Sequence, residues 1–227
     1  MKLSTFQFQT RPRFVYSFLA VSLLLAGVNR AEPQLERLSS PPPEQVPPAV
    51  ASLLKGESFR VVEGTKVLGE FWMRAALPAQ GGSSAQLGVN FGMLGLSTFA
   101  GVVRLPDQWF DYKNKPVPAG VYTLRYGQQP ADGNHTGVSF YRDFFLLIPV
   151  SKDSDPQAQY GFKELNQLSS QATGTNHPAV MALFPLYDEV GATSLVKNEM
   201  EQWTVAWKVG DLTLGLVISG HGELEGY

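Results

Sequence analysis

Alternation of apolar and polar residues is the main signal in this chain, and it predicts β-strands. The run VYTLRYG at residues 121–127 alternates, with Thr123 and Arg125 on its polar face, whereas FFLLI at residues 144–148 is apolar on both faces. Period-two alternation is typical of a half-buried strand, and a short continuous apolar run is typical of a buried one. We therefore expect the first strand to be half buried and the second to be fully buried.

Similar patterns predict the rest of an all-β fold. Further strands are expected at residues 58–62, 66–74, 87–103 (two strands separated by a bulge or bend), 179–186, 203–209 and 212–219. Apolar residues three apart, followed by Gly174, predict one short helix at residues 161–172. Because strands do not alternate with long helices, the expected architecture is an antiparallel β-sandwich or a jelly-roll-like fold.

The first 31 residues have a different composition and are typical of a signal peptide. Basic residues precede an apolar segment at residues 14–28, and Ala31 is a small residue at which cleavage is expected. Fifteen apolar residues are fewer than the roughly 20 needed to cross a bilayer, so no membrane span is expected after signal removal. Asn29 and Arg30 are unfavourable before a cleavage site, which leaves an uncleaved N-terminal anchor open as an alternative. The expected location is periplasmic or extracellular.

Proline and charge content indicate the organisation of the remainder. Residues 32–50 are rich in proline and polar residues and are predicted to be an extended linker, and residues 51–227 a single domain. The first 31 residues contain four of the 18 basic residues and none of the 20 acidic ones, so the rest of the chain carries a net charge of −6. This acidic balance argues against a nucleic-acid partner. The chain contains no cysteine, which excludes disulfides and thiolate chemistry.

Four segments carry a resemblance to other proteins: NKPVPAGVYTLRYG, DGNHTGVSFYRDF, GTNHPAV and WTVAWKVGDLTLGLVISGHGE. Together they resemble an uncharacterised family of exported β-sandwich proteins from environmental bacteria. The PAG-x-Y-x-L piece is also similar to a broader group of bacterial domains of unknown function. The resemblance covers most of residues 58–223. It implies a fold and an exported location, but no activity and no catalytic residues.

Two sets of polar residues are candidates for a site. The three histidines His135, His177 and His221 fall in loops or at strand ends, where imidazoles can bind a metal, although no short-range ligand spacing is present. Arg142 and Asp143 directly precede the buried strand. They form either a ligand-facing charge pair or, as we favour, a clamp for the long connection at residues 128–143.

Aromatic residues supply a third candidate. Trp109 and Tyr112 lie in a turn with Asp107 and Asp111, a combination that can stack on a sugar and bond its hydroxyl groups. The alternative is that these rings cover the end of the core.

Familiar catalytic motifs are missing, which favours a binding protein. The glycines at positions 88, 92 and 95 do not match a dinucleotide-binding loop, and Ser97 lacks the final glycine of a nucleophile elbow. The sequence therefore predicts a non-catalytic exported protein that binds a ligand or a protein partner, or that has a structural role at the envelope, with no cofactor. A metal-binding protein or metal-dependent enzyme and a carbohydrate-binding module remain as alternatives.

We expect export to remove the signal at or next to Ala31. N-terminal sequencing of the exported protein checks this expectation. A chain that still begins at Met1 and fractionates with membranes would instead support the N-terminal anchor.

Overall fold

The structure, a computed structural model, describes residues 31–78, 86–132 and 139–219. The strands are β1 (Pro33–Arg37), β2 (Ser58–Glu63), β3 (Lys66–Met73), β4 (Phe99–Leu105), β5 (Trp109–Phe110), β6 (Pro116–Val117), β7 (Gly120–Gln128), β8 (Asp143–Pro149), β9 (Ala179–Phe184), β10 (Ser194–Lys197), β11 (Trp203–Val209) and β12 (Leu212–Ser219). The helices are α1 (Pro48–Ala51) and α2 (Phe162–Thr173), with short 3₁₀ turns at Gly92–Leu94 and Val150–Lys152. The predicted signal peptide lies almost entirely outside the described residues.

Ten of these strands form one antiparallel sheet, which confirms the predicted all-β fold. Its order is β1-β2-β3-β4-β7-β8-β9-β12-β11-β10, and β5 and β6 form a separate small ladder. The sheet is continuous but narrow at β9 and β12, which pair at only two positions, Gly215 with Phe184 and Leu216 with Leu183. The outermost strands β1 and β10 approach each other, so the sheet is nearly closed.

The enclosed core consists of the side chains that alternate toward the concave face of the sheet. Phe59 and Phe71 stack at 5.1 Å between ring centroids, and Phe145 lies 6.5 Å from Trp207 across the interior. All four side chains are almost completely buried. Because successive strand residues point to opposite faces, the intervening residues lie on the outside of the sheet.

A second layer covers part of that outer face. Leu165 of α2 packs against Phe144 and Leu146 of β8. The helix ends at Gly174, whose φ of +64° is the left-handed conformation that glycine adopts without strain. The helix predicted at residues 161–172 is therefore present, and each of its ends lies one residue later in the chain than predicted.

The segment predicted to be a linker belongs to the fold. Residues 33–37 form β1 and pair along their whole length with β2. Val50 of α1 is fully buried in a cluster with Trp72, whose indole N–H donates to Ser40 O at 3.0 Å. The strand and the helix in this segment were not predicted, because prolines are frequent and the apolar residues are too widely spaced to show a period. Proline is nevertheless compatible with an edge strand and with the first turn of a helix.

One further strand prediction requires correction, and the edge strand β10 was not predicted. Within residues 87–103 only β4 is extended, because Gly95 and Ser97 have φ values of +71° and +72° that interrupt the chain. The short edge strand β10 falls in a stretch that showed no alternation.

Strand β7 is buried on both faces, contrary to the prediction that it is half buried. Its polar residues Thr123 and Arg125 have no solvent exposure, because residues 150–160 cover this part of the outer face. An apolar cover over an unpaired guanidinium would be strongly unfavourable, so the covering segment must supply acceptors.

The covering segment satisfies Arg125 completely. Its Nε and Nη2 donate to the two carboxylate oxygens of Asp153 at 2.6 and 2.8 Å. The remaining three N–H groups donate to the carbonyl oxygens of Ser97, Asp155 and Ala158 at 2.7–2.9 Å. All five donors of the guanidinium are thereby used. Its charged plane also lies 4.8 Å from the centre of the Tyr160 ring, a cation–π distance.

We expect the Asp153→Ala substitution to destabilise the protein by about 3–5 kcal/mol, because it leaves a buried guanidinium without its counter-charge. The matched control is Glu36→Ala, which breaks an ion pair with Arg60 of the same 2.6 Å length but about 40% exposed at both side chains. The control should cost about 1 kcal/mol or less. Urea unfolding of both variants measures the difference, and equal losses would contradict the role given to the buried pair.

Candidate functional site

Arg142 and Asp143 both hold neighbouring backbone segments in place. Arg142 Nε donates to Gln129 O at 2.8 Å, and its Nη1 donates to Leu87 O at 3.1 Å. The contact with Gln129 confirms, for Arg142, the prediction that one of these two residues fastens the backbone of the long connection. Residues 133–138 of that connection lie outside the described residues.

The carboxylate of Asp143 is fully buried and fixes a different segment. It accepts the backbone N–H groups of Asn90 at 2.7 Å and Phe91 at 3.3 Å, and also the hydroxyl of Tyr126. Burial raises the pKa of Asp143, and the hydrogen bonds from Asn90, Tyr126 and Phe91 act in the opposite direction. These contacts hold residues 90–91 over the end of the core.

The aromatic residues proposed as a sugar platform are mostly internal, which corrects that prediction. Tyr112 is 4% exposed, and its ring meets Phe144 and Phe184 edge-on at 6.0 Å. The indole N–H of Trp109 donates a hydrogen bond to Ile218 O at 3.1 Å, and the ring packs against the core. Asp107 is exposed. The alternative that these rings cover the end of the core is therefore correct.

Of the three histidines, only His177 is described; His135 and His221 lie outside the described residues. His177 is exposed on the turn between α2 and β9. No group of three or more potential metal ligands occurs within residues 31–78, 86–132 and 139–219. The metal site suggested for His135, His177 and His221 thus stays untested.

His177 borders a cleft of about 310 Å³ between helix α2 and the outer face of the sheet, here called the α2 cleft. Its apolar floor consists of Phe144, Leu146 and Val180. Polar side chains surround the floor: Lys113, Gln128, Gln129, Asp132, Asn166, Asn176 and His177. An apolar floor with a few convergent polar groups is the usual composition of a small-molecule site.

The floor depends on Gly127 of β7. A Cβ atom at this position would lie 2.3 Å from Leu146 Cδ1, so any other residue would displace that leucine. The same Cβ position is 3.6 Å from Leu165 of α2. The missing side chain therefore leaves room for Leu146 in the floor of the cleft, while the distance to Leu165 is an ordinary van der Waals contact.

Polar contacts fix the two loops that supply its charged groups. Asp111 Oδ1 accepts the backbone N–H groups of Lys113 and Lys115 at 2.9 and 2.8 Å, while Oδ2 accepts the N–H of Val180 at 3.2 Å. Asp111 thus joins the Lys113 loop to the strand that forms the floor. On the other side, Thr173 Oγ1 donates to His177 O at 2.8 Å and restrains that turn.

Lys113 lines the cleft, and its pKa is lowered from the ordinary value of a lysine. Burial lowers its pKa, the nearby charge of Asp111 raises it, and the charge of Lys115 lowers it further. Lys113 takes part in none of the ion pairs found between described residues. Asp111 acts on Lys113 through its charge, but its two oxygens accept backbone N–H groups. A partly desolvated ammonium without a direct ion pair favours an anion that approaches through the cleft.

Sequence reasoning identified one member of this cleft, His177, and missed Lys113, Gly127 and the asparagines. No local motif marks them, because they come from four separate segments that α2 and the sheet bring together. Gly127 ends a strand pattern, and a glycine at such a position is a general signal of close approach.

Ser97 has the conformation but not the exposure of a nucleophile. Its φ is +72°, yet the residue is completely buried and its carbonyl oxygen accepts Arg125. Its hydroxyl accepts the N–H of Tyr160 at 3.1 Å. The hydroxyl therefore has a structural role.

Replacing Asp143 by alanine should destabilise the protein by about 1–3 kcal/mol for each buried donor left without a partner. The matched control is His177→Ala, which removes an exposed side chain and should change stability by less than about 0.5 kcal/mol. Thermal and urea unfolding measure both. A harmless Asp143→Ala would show that residues 90–91 are held by other contacts; His135→Ala is expected to behave like the control.

No helix in the described ranges combines the length and hydrophobicity needed to cross a bilayer. Comparisons of the chain with family models, with curated proteins and with solved structures found no match. The resemblance to exported bacterial β-sandwich proteins accordingly stays an expectation, and the function must be argued from the site.

Proposed function

We propose that this chain is an exported, non-catalytic binding protein and that the α2 cleft takes a small organic acid with an apolar body. The observation that carries the proposal is Lys113, an ammonium group that is partly buried beside an apolar floor and has no ion-pair partner among the described residues. Export is supported by the composition of residues 1–31.

The dimensions of the cleft limit the size of the ligand. A cavity of about 150 Å³ holds one benzene molecule, so the 310 Å³ of the α2 cleft suit a single ring with a short substituent or a short alkyl chain. Phe144, Leu146 and Val180 would bury the apolar part. Each Å² of apolar surface removed from water contributes about 25 cal/mol.

The polar groups favour an anionic head. A ligand carboxylate would give Lys113 a direct ion pair, and such charge-assisted hydrogen bonds contribute about 1.5–3 kcal/mol. The carboxylate of Asp132 lines the same cleft and disfavours an anionic head placed close to it. The amides of Asn166 and Asn176 line the same cleft and offer further donors. His177 at its edge supplies an imidazole within the same wall.

We expect benzoate, 3-phenylpropanoate or hexanoate to raise the melting temperature of the protein, and their neutral amides to do so much less. Lys113→Met should weaken carboxylate binding by about tenfold to a hundredfold, which corresponds to the energy of the lost charge-assisted bond. Isothermal titration calorimetry measures the affinities. The matched control is Lys115→Met, which removes an exposed ammonium two residues away.

Measuring the stability of the Lys113→Met variant shows whether weaker binding is caused by the lost ammonium group or by unfolding of the protein. Because the pKa of Lys113 is lowered below the ordinary 10.5, the unfolded chain binds this proton more tightly than the folded one. The penalty is complete below the folded-state pKa and disappears as the pH rises towards 10.5. The variant should therefore be more stable than the parent at pH 7, with the gain declining at alkaline pH. Equal binding of amides and acids, or equal effects of the two variants, would overturn the proposal.

A further inference from the structure

A second concave site lies on the same outer layer and is lined by three aromatic rings, of which that of Phe140 is exposed. We name it the aromatic groove; its volume is about 300 Å³, and it is lined by Phe140, Tyr141, Phe184, Pro185, Asn198, Glu199 and Met200. Phe140 is 74% exposed, and Tyr187 beside the groove is 72% exposed. Clustered apolar surface of this kind on a soluble domain marks an interaction site.

The rings are arranged as a corner rather than as a flat platform. The Tyr141 ring is nearly perpendicular to Phe140, at 85° and 5.1 Å, and inclined by 59° to Phe184 at 4.8 Å. Its hydroxyl lies 3.3 Å from that of Tyr187. Aromatic faces in several orientations can surround a compact group, whereas a sugar ring stacks on one open face.

The opposite wall is a turn held in one conformation by Asn198. Its Oδ1 accepts the backbone N–H groups of Met200 and Gln202 at 2.9 and 3.0 Å, and its Nδ2 donates to Gln202 Oε1 at 2.9 Å. Asn198 is 8% exposed, so this amide is committed to the turn. The contacts place Glu199 and Met200 against the aromatic corner in advance of any ligand.

The charge at the groove is negative. Glu199 is exposed at its rim and belongs to none of the ion pairs between described residues, since Lys197 of the same turn pairs with Glu201 at 3.1 Å. Glu199 and Tyr141 line the same groove. Burial, the hydrogen bond and charge of Tyr187, and then the charge of Glu199 raise the pKa of Tyr141. The groove has no lysine or arginine among its lining residues.

We propose that the aromatic groove binds a methylated organic cation, of the quaternary ammonium class. The rings of Phe140 and Tyr141, which line the groove, and the ring of Tyr187 beside it would attract the cation through their quadrupoles, and Glu199 would supply the counter-charge. N-methyl groups need no hydrogen-bond acceptors. They therefore suit a groove in which the amide of Asn198 already makes its hydrogen bonds within the turn. A sugar would need several free polar partners in addition to a ring face. This site is independent of the α2 cleft.

The experiment compares choline with 3,3-dimethylbutan-1-ol, which has the same shape and no charge. Binding to the full-length protein is followed by saturation-transfer NMR on the methyl signal and by calorimetry. We expect choline and tetramethylammonium to bind, and the neutral alcohol to bind at least about tenfold more weakly. Maltotriose and cellobiose are tested in the same way, as representative sugars that are not expected to bind.

Variants at exposed positions test the residues without disturbing the core. Tyr187→Ala should weaken choline binding severalfold, whereas Tyr187→Phe keeps the ring and most of the affinity. Glu199→Gln should also weaken binding severalfold, while Glu201→Gln, which removes a charge two residues away, should not. Benzoate binding in the α2 cleft should be unaffected by all four, which separates this proposal from the preceding one.

Several outcomes would overturn the proposal. These are no binding of choline up to about 10 mM, equal binding of choline and its neutral isostere, equal effects of Glu199→Gln and Glu201→Gln, or binding of a sugar in place of the cation.

Discussion

The pairing of Arg125 with Asp153 determines how the outer layer of this protein is built. A guanidinium in the middle of a strand cannot be buried unless every donor has an acceptor, and here the acceptors come from the segment that precedes α2. That requirement fixes residues 153–160 on the sheet. Since α2 starts two residues later, the position of the helix and of the α2 cleft follows from the same interaction.

Polar side chains at three other places also hold backbone segments in position, each with fewer hydrogen bonds than Arg125 makes. Asp111, Asp143 and Asn198 are all buried, and each accepts N–H groups from backbone that would otherwise be loosely held. Burying these groups is tolerable because their hydrogen bonds are made within the protein. As a result, both proposed sites have walls that are set before a ligand arrives, although one presents an ammonium and the other a carboxylate.

The fold was predictable from the sequence to the extent that it depends on local pattern. The hairpin of β11 and β12 and the buried strand β8 were expected because their alternation or continuous apolarity is long enough to recognise. Arg125 shows the limit of such reasoning. A charged residue at an alternate position predicts a solvated face, and only the distant Asp153 makes its burial possible.

The candidate site was much less predictable. Arg142 was expected to act as a clamp because it sits beside a long connection, and its contact with Gln129 confirms this. Lys113 carries no comparable signal, since its neighbours in the cleft come from positions far apart in the chain. Tyr112 was misplaced for the opposite reason: a cluster of aromatic residues in a turn does not show whether their rings face solvent or the core.

The two-position ladder between β9 and β12 has a consequence for folding. Strands β1 to β4 and β7 to β9 lie in the sheet in their order along the chain, with α2 inserted between β8 and β9, and β10 to β12 form a second meander. Only the second group is built from tight connections throughout, and contacts close in sequence form quickly. The two are then joined mainly by interdigitation of side chains in the shared interior, with little help from backbone hydrogen bonds. The two groups of strands are therefore joined mainly by side-chain packing, and the strand amides at this junction are expected to exchange earlier than those of the fully paired strands β7 and β8.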